Sequence, residues 1–507
     1  MTPTRIHELL EAWALRAPDA PFLIKPGLTT TLAQLQVRVE AGAGELLALG
    51  VRPGDRVLIV AENCVDHVAL ILACSRVGAW SCGVNARMTP AEVDAFAARA
   101  DMRVAYFTSR SSTAAAAHAE RHGATPSVLA GLRHAAPRAQ ALAEPEPLAS
   151  DVAALIFTSG TSGAPKAVMA THRALLHFAR VSAQSRSLSS QDRVYAFLPM
   201  THSFGLITML LASLHAGAAL VLRDRFDPAD LLRALADEGI ATLQGPPTMF
   251  SRLLAHMEAT GCAKPVAPQL RYLYTGSAPL DLSLKRRVEA AFGMPLHHGY
   301  GLSEYAGSLF LTDQARPRDD TSAGYPAEGG EARIVDAQGH EVAAGQPGEL
   351  WIRGVGLMPG YFRDAQATAQ VMRPGGWYAT GDLGRREADG AVFIVGRLKE
   401  MIIRSGFNVY PAEIETAINA LGGVQQSAVV GLPEGDGNES IVAFVEMKAG
   451  AQFDETALAC HLAERLAPYK RPARYVVLPQ LPTTSNGKLL KREMAAQLRT
   501  EAAATAA

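Results

Sequence analysis

Residues Asp151 to Phe157 (DVAALIF) run straight into Thr158–Lys166 (TSGTSGAPK), and this junction constrains the fold more than any other stretch. The first segment is short and apolar, the pattern of a buried strand. The second gathers hydroxyls, glycines, one proline and one lysine into nine residues. Glycines let backbone N–H groups close on an anion, hydroxyls add donors, and the lysine adds a mobile positive charge. A strand that ends in such a loop predicts a phosphate cradle in an α/β fold. The spacing is not that of a Walker loop, because two residues separate Gly163 from Lys166 and Ala167 follows. Taken alone, the loop reads equally as a flexible Ser/Gly surface turn.

The rest of the chain repeats strand then helix, which predicts α/β layers with largely parallel sheets. A strand is expected at 55–60 after the Pro53-Gly54 turn, and a helix at 67–76. Thr171 is placed to cap a helix over 172–185. Ser203 to Leu222 approaches membrane-spanning length, but Ser203, Ser213, His215 and glycines interrupt it, so it reads as a buried helix followed by a strand. Residues 111–150, rich in alanine and proline, are expected to form a surface connection, and 500–507 a frayed tail. Around Gly396-Arg397 the character changes to compact units at 391–395, 401–403, a helix opening at Pro411, and 440–446. A boundary near Lys399 therefore divides a large N-terminal domain, 1–397, from a small α+β C-terminal domain, 398–507.

At 507 residues the chain has ample length for two cores. Its net charge of -1 supplies no global field for nucleic acid or an acidic membrane. Five cysteines, Cys64, Cys74, Cys82, Cys262 and Cys460, form no C-x-x-C pair. They are expected to be small core hydrophobes in a reducing cytoplasm. The first residues lack the apolar run of a signal peptide. No His/Cys/Asp cluster has zinc spacing, and His297-His298 is too close in sequence to chelate one metal readily.

Further segments follow the loop in a fixed order: Tyr274–Pro279 (YTGSAP), Tyr300–Glu304 (YGLSE), Gly348–Gly354 (GELWIRG), Trp377–Asp382 (WYATGD), Gly396–Lys399 (GRLK) and Asn486–Lys488 (NGK). Together with the loop they resemble the adenylate-forming superfamily of acyl-CoA synthetases, luciferase and nonribosomal peptide synthetase adenylation domains. The resemblance spans roughly residues 5 to 495 and is nearest to the acyl-CoA synthetases. Ser162 and Ser303 stand where threonine is usual, keeping the hydroxyl.

The resemblance implies an ATP-dependent carboxylate–CoA ligase that makes acyl-AMP and pyrophosphate, then acyl-CoA and AMP. ATP, Mg²⁺ and CoA are the implied cofactors and co-substrates. It places Thr158, Ser159, Gly160, Thr161, Ser162, Gly163 and Lys166 in the nucleotide site, with Thr158, Thr161, Ser162 and Lys166 on the β- and γ-phosphates. Gly276, Ser277 and Ala278 are expected along adenine, with Tyr300 stacking on it and Gly301 and Ser303 nearby. Glu304 is the expected Mg²⁺ contact, Asp382 the ribose reader, and Arg397 a second ribose and phosphate contact. His202 is expected beside the α-phosphate, with His298 touching adenine or the acyl group. Lys488 bridges carboxylate and α-phosphate during adenylation. For thioester formation a rotation about Lys399 removes Lys488 and brings in Gly406, so the small domain is expected to be mobile.

Amino-acid-activating relatives place an aspartate shortly after the Thr201–Gly205 region, and Ser203–Thr208 has none. The expected pocket segments, Phe204–Ile207, Gln244–Thr248 and Tyr305–Ser308, are mostly apolar or small and contain no arginine. An aliphatic or aromatic monocarboxylic acid is therefore expected. Partners are that acid, ATP and CoA, with a homodimer as a candidate assembly and no nucleic acid. Two alternatives stay open: an adenylating enzyme with a carrier-protein acceptor, and a non-catalytic AMP-binding module.

Overall fold

The computed structural model describes residues 3–158, 166–404, 407–435, 438–483 and 489–506. Its first sheet has seven strands, and its centre is the parallel set Val104–Phe107, Arg56–Ala61, Trp80–Asn85 and Val152–Thr158. Every residue of Arg56–Ala61 is buried, as expected for a parallel strand covered on both faces. Arg56 tolerates this because it donates to the carbonyls of Ala100, Gly54, Asp101 and Leu142. Lys166–Thr171 closes one edge antiparallel to Val152–Thr158, with Thr158 opposite Lys166.

The second sheet has nine strands, and six of them run parallel, from Leu296–Leu302 through Tyr272–Thr275, Ile240–Gly245, Arg193–Ala196 and Ala219–Leu222 to Pro21–Lys25. The C-terminal ends of four of these strands lead into 276–278, 246–248, 303–305 and 197–203, which belong to or adjoin the segments the sequence marks as functional. Ligands of parallel sheets gather at that end. A third sheet, built on Gly330–Val335, Pro347–Gly354, Trp377–Arg386 and Val392–Arg397, is antiparallel, unlike the mostly parallel expectation.

From Ile402 onward the chain packs hydrophobic clusters of its own, around Ile414, Val429, Ala443 and Leu458 and around Phe444, Leu481 and Met494. Helices Pro411–Asn419, Glu455–Ala463 and Lys491–Ala506 flank strands Val424–Gly435, Asn438–Met447 and Arg474–Val477. Lys491 pairs with Glu415 at 2.7 Å and Glu400 at 3.4 Å. Burial works against its charge, but the two carboxylates outweigh that and raise its pKa.

Thr171 caps helix His172–Ser185 by accepting from the Ala174 N–H at 3.1 Å, and Pro411 opens its helix, both as expected. Three expectations are corrected. Residues 113–121 form a helix, capped by the Ser112 hydroxyl and burying Ala115 and Ala119, because an alanine run behind a serine cap favours helix over connection. The C-terminal backbone is helical to Ala506 for the same reason of alanine content. Cys460 is exposed and Cys262 half-buried, so only Cys64, Cys74 and Cys82 act as core hydrophobes. No helix among the described residues is long and apolar enough to cross a membrane.

Candidate active site

Asp382 is the focus of one cluster. Strand pairing sets it opposite Arg397, whose Nε lies 3.0 Å from Oδ1, while the Tyr300 hydroxyl donates to Oδ2 at 2.5 Å. Burial and the Asp382 carboxylate hold the Tyr300 phenol well above its ordinary pKa, so it remains a donor. Desolvation opposes the Arg397 charge, but Asp382, Glu400 and Glu304 outweigh it and raise its pKa. Each carboxylate oxygen accepts along two directions, so with respect to the described residues Asp382 keeps a vacant direction on both oxygens. The Tyr300 hydroxyl and the Arg397 guanidinium, expected at adenine and at the ribose, both meet the Asp382 carboxylate.

Glu304, in the 3₁₀ turn Ser303–Tyr305, anchors a second cluster. Residues 358–362 run beside Lys166–Thr171, with the Phe362 N–H donating to the Ala167 carbonyl and Met169 N–H to Gly360. That strap brings Tyr361 between two opposite charges. Its hydroxyl donates to Glu304 Oε1 at 3.0 Å, and its ring lies 4.5 Å from Lys166 Nζ. The Tyr378 hydroxyl lies 3.2 Å from that of Tyr361, completing a chain of hydroxyls to the carboxylate. Burial, and then Glu304, raise the pKa of both phenols, so both stay protonated donors. Tyr378 belongs to the WYATGD motif, but Tyr361 does not stand out in the sequence, since an aromatic residue after Pro359-Gly360 resembles many turns.

His202, Phe204, Gly205 and Ser277 line a cavity with Leu198 and Pro199. Nδ1 of His202 accepts from the Phe204 N–H at 3.2 Å, which leaves Nε2 to carry the proton in the neutral ring. The helix that follows, Phe204–Leu211, is a π-helix, a form concentrated at functional sites. Ser203 and Ser303 hydroxyls meet at 3.2 Å and join this helix to the Glu304 turn. Gly205 and Gly301 admit no side chain: a Cβ would lie 2.2 Å from the Pro199 and Gly307 carbonyl oxygens respectively. Thr158 stands at the strand end opposite Lys166. Gly276 is buried, while Ser277 is exposed at φ 66° and Ala278 is half-buried.

His298 is buried, paired opposite Thr275 at the strand end that leads to 276–278. Its Nδ1 lies 3.1 Å from the Ser322 carbonyl and 3.2 Å from that of Thr321. Burial lowers its pKa to about 4 against the pull of backbone groups at Ser322, Thr321 and Ala278, so it is a neutral brace behind 276–278. Two buried groups escaped the sequence reading: Arg186, behind the pocket segments, and Tyr274 within the YTGSAP motif. Ser159, Gly160, Thr161, Ser162, Gly163, Gly406 and Lys488 lie outside the described residues.

Residues 10–362 match the AMP-binding enzyme family model, and 413–488 match the AMP-binding enzyme C-terminal domain. The chain belongs to the AMP-binding enzyme family, the adenylate-forming superfamily its motifs resemble. It is 33% identical over 498 residues to a feruloyl-CoA synthase of Amycolatopsis sp, covering 96% of this chain and 98% of the relative. It is also 33% identical over 513 residues to a 3-[(3aS,4S,7aS)-7a-methyl-1,5-dioxo-octahydro-1H-inden-4-yl]propanoyl:CoA ligase of Mycobacterium tuberculosis, covering 96% and 97%. The crystal structure of ATP-bound MatB from Rhodopseudomonas palustris superposes with a TM-score of 0.85 at 29% identity, covering 97% of this chain and 98% of that one. The family architecture is a large N-terminal and a small C-terminal domain.

Proposed function

We propose that this family member is an AMP-forming acid–thiol ligase, which activates a monocarboxylic acid with ATP and passes the acyl group to CoA. The observation that carries the reading is the Lys166–Tyr361–Glu304 arrangement, a cation and a carboxylate held on either side of one tyrosine. Relatives named as CoA ligases over nearly the full length of both chains support the thiol acceptor.

A carboxylate attacking the α-phosphate brings two anions together, so positioned cations and donors must offset their repulsion. Lys166, Thr158, Thr161 and Ser162 hold the β- and γ-phosphates, with Ser159, Gly160 and Gly163 in the same nucleotide loop. Asp382 accepts from the ribose hydroxyls with its vacant directions, while Arg397 and Tyr300 fix its orientation. Gly276, Ser277 and Ala278 carry adenine along their backbone beside Gly301 and Ser303.

Glu304 is a hard oxygen donor, and the described residues contain no cluster of three acidic, cysteine or histidine ligands. That donor set fits Mg²⁺, which keeps water and phosphate oxygens as its main ligands. Glu304 would hold the ion, which when bound neutralises charge on the phosphates. His202 faces the cavity where the acid meets the α-phosphate, and Lys488 supplies the charge bridging the two reacting anions.

The N-terminal domain, 1–397, and the C-terminal domain, 398–507, articulate near Lys399. Rotation there withdraws Lys488 and brings Gly406 to the pantetheine path. A homodimer in the cytoplasm is the proposed assembly and location, supported by the buried free thiols of Cys64, Cys74 and Cys82 as regards a reducing compartment. Pyrophosphate release over a panel of acids, with and without CoA, tests the reading. Acid-dependent pyrophosphate followed by CoA-dependent thioester is expected; thioester formation on a carrier protein alone would overturn the acceptor.

A further inference from the structure

We propose that Tyr274, backed by Arg186, forms a polar wall of the acyl pocket and selects compact acids carrying an oxygen acceptor away from the carboxylate. The inference rests on the ligase reading above and names the substrate class of that site.

Tyr274 is the third residue of strand Tyr272–Thr275 and is 2% exposed. Its ring meets that of Phe204 edge to face at 6.0 Å, and Phe204 lines the cavity with His202 and Ser277. Two rings in that contact leave no passage for an acyl chain between them, so the pocket stops there. The phenol lies 3.1 Å from the Ser308 hydroxyl. A Cβ on Gly299 would come within 2.4 Å of the same oxygen, and one on Gly276 within 3.2 Å. The hydroxyl therefore sits between the 276–278 segment and the strand leading to Glu304.

Behind the ring lies Arg186, 1% exposed, its guanidinium carbon 4.6 Å from the Tyr274 centroid and 5.8 Å from that of Tyr272. Nε donates to Gln244 Oε1 at 3.0 Å, and Nη1 to the Ser182 carbonyl, Ser182 Oγ and Ser185 Oγ. Gln244 in turn donates to the Thr208 carbonyl of the π-helix at 3.1 Å. Nη2 is buried without a hydrogen-bond partner among the described residues, and no ion pair to a carboxylate is seen there. The C-terminal end of helix His172–Ser185 offsets part of the charge. A wall needed only for packing is more stable when built from apolar groups than around a buried guanidinium.

A cation on a phenol face holds the ring plane and makes the hydroxyl a stronger donor. Ser308 Oγ can donate as well as accept, which frees the Tyr274 proton for a ligand oxygen. Hydroxyl, ether and keto oxygens fit this donor, whereas a long unsubstituted chain finds the pocket closed by the two rings.

The test uses matched acids: cinnamate against 4-hydroxycinnamate, and cyclohexanecarboxylate against its 4-oxo analogue. Calorimetry without ATP gives affinities, and pyrophosphate release gives kcat and KM. The wild type should bind the oxygenated member at least about five-fold more tightly in one pair. Tyr274→Phe, which removes only an oxygen, should lower that member's kcat/KM about 5- to 50-fold through KM and leave its partner within two-fold. Arg186→Met should move the same ratio in the same direction. No preference in either pair, or an equal loss for both members in Tyr274→Phe, overturns the inference. A binding preference abolished by Tyr274→Phe, in an enzyme that releases no pyrophosphate with either member, would sink the ligase reading and leave the inference standing.

Discussion

Tyr361 carries no charge, yet it sets the distance between two charged groups, and this is where single residues matter most. Tyr361→Phe keeps the ring beside Lys166 and removes the donor to Glu304. Hydrogen bonds to charged groups contribute about 1.5–3 kcal/mol. The variant should need at least about ten-fold more Mg²⁺ for half-maximal pyrophosphate release, with the KM for the acid unchanged. An unaltered Mg²⁺ titration would mean that the contact is incidental. Asp382→Ala should weaken ATP binding by about 1.5–3 kcal/mol, measured by calorimetry, and should also free Tyr300 and Arg397 from their shared partner. Asp382, Glu304 and Lys166 were legible in the sequence because each sits in a motif with fixed neighbours. Tyr361 and Arg186 were not, because their roles come from long-range packing: Arg186 meets Gln244 across 58 positions of the chain. His298 drew notice as an unusual neighbour of His297, but only the Thr321 and Ser322 carbonyls show it to be a brace.

Among the elements, the π-helix Phe204–Leu211 shows most directly how backbone form serves the site. It begins where Gly205 lies against the Pro199 and Leu198 carbonyls, a contact that only hydrogen permits. Gly205→Ala must push these backbones apart, and overpacking of this kind typically costs about 1–3 kcal/mol. We expect a lowered Tm and an acid KM raised more than about ten-fold, because His202 and Phe204 flank the displaced turn. A variant with normal KM would show that the turn does not position the pocket. Strands and capped helices were readable because their signals are local: the Thr171 cap, the Pro411 start, the apolar run before Thr158. The π-helix gives no local signal, since its widened turn answers to Gly205, the Ser303 contact and the Gln244 side chain rather than to propensity. The antiparallel third sheet was also missed, because its strands alternate half-buried residues over one covered face.

At the scale of the molecule, four buried histidines tie stability to pH. Burial lowers the pKa of His67, His297 and His298 to about 4 and that of His172 to about 3. An unfolded histidine takes its proton near pH 6.5. Between those values the unfolded chain binds more protons, so this stability is complete above about pH 6.5 and is lost as pH falls towards 4. Urea midpoints should drop between pH 7 and 5, and His298→Gln should flatten the slope by up to one proton. A wild-type midpoint constant over that interval would contradict the burial argument. Lys399 lies in the 3₁₀ turn Leu398–Glu400, a conformation whose φ proline can adopt. Lys399→Pro should therefore preserve adenylation while slowing thioester formation at least ten-fold in single-turnover measurements. Equal effects on both half-reactions would place the articulation elsewhere. The presence of two cores was legible from the change in character at Gly396; the way Lys491 ties Glu400 to Glu415 was not, since those residues meet only in three dimensions.

Thr158 and Lys166 face each other as paired ends of antiparallel strands, with seven residues between them. The ends of that span are therefore tethered before any nucleotide arrives, and its closure entropy belongs to folding rather than to binding. Two added glycines would raise that closure term by only about 0.2 kcal/mol, from the logarithmic dependence on length. The same insertion changes how many backbone N–H groups can converge on one anion. Under the proposed phosphate role, length in this span is nearly neutral for the fold and bears chiefly on the ligand.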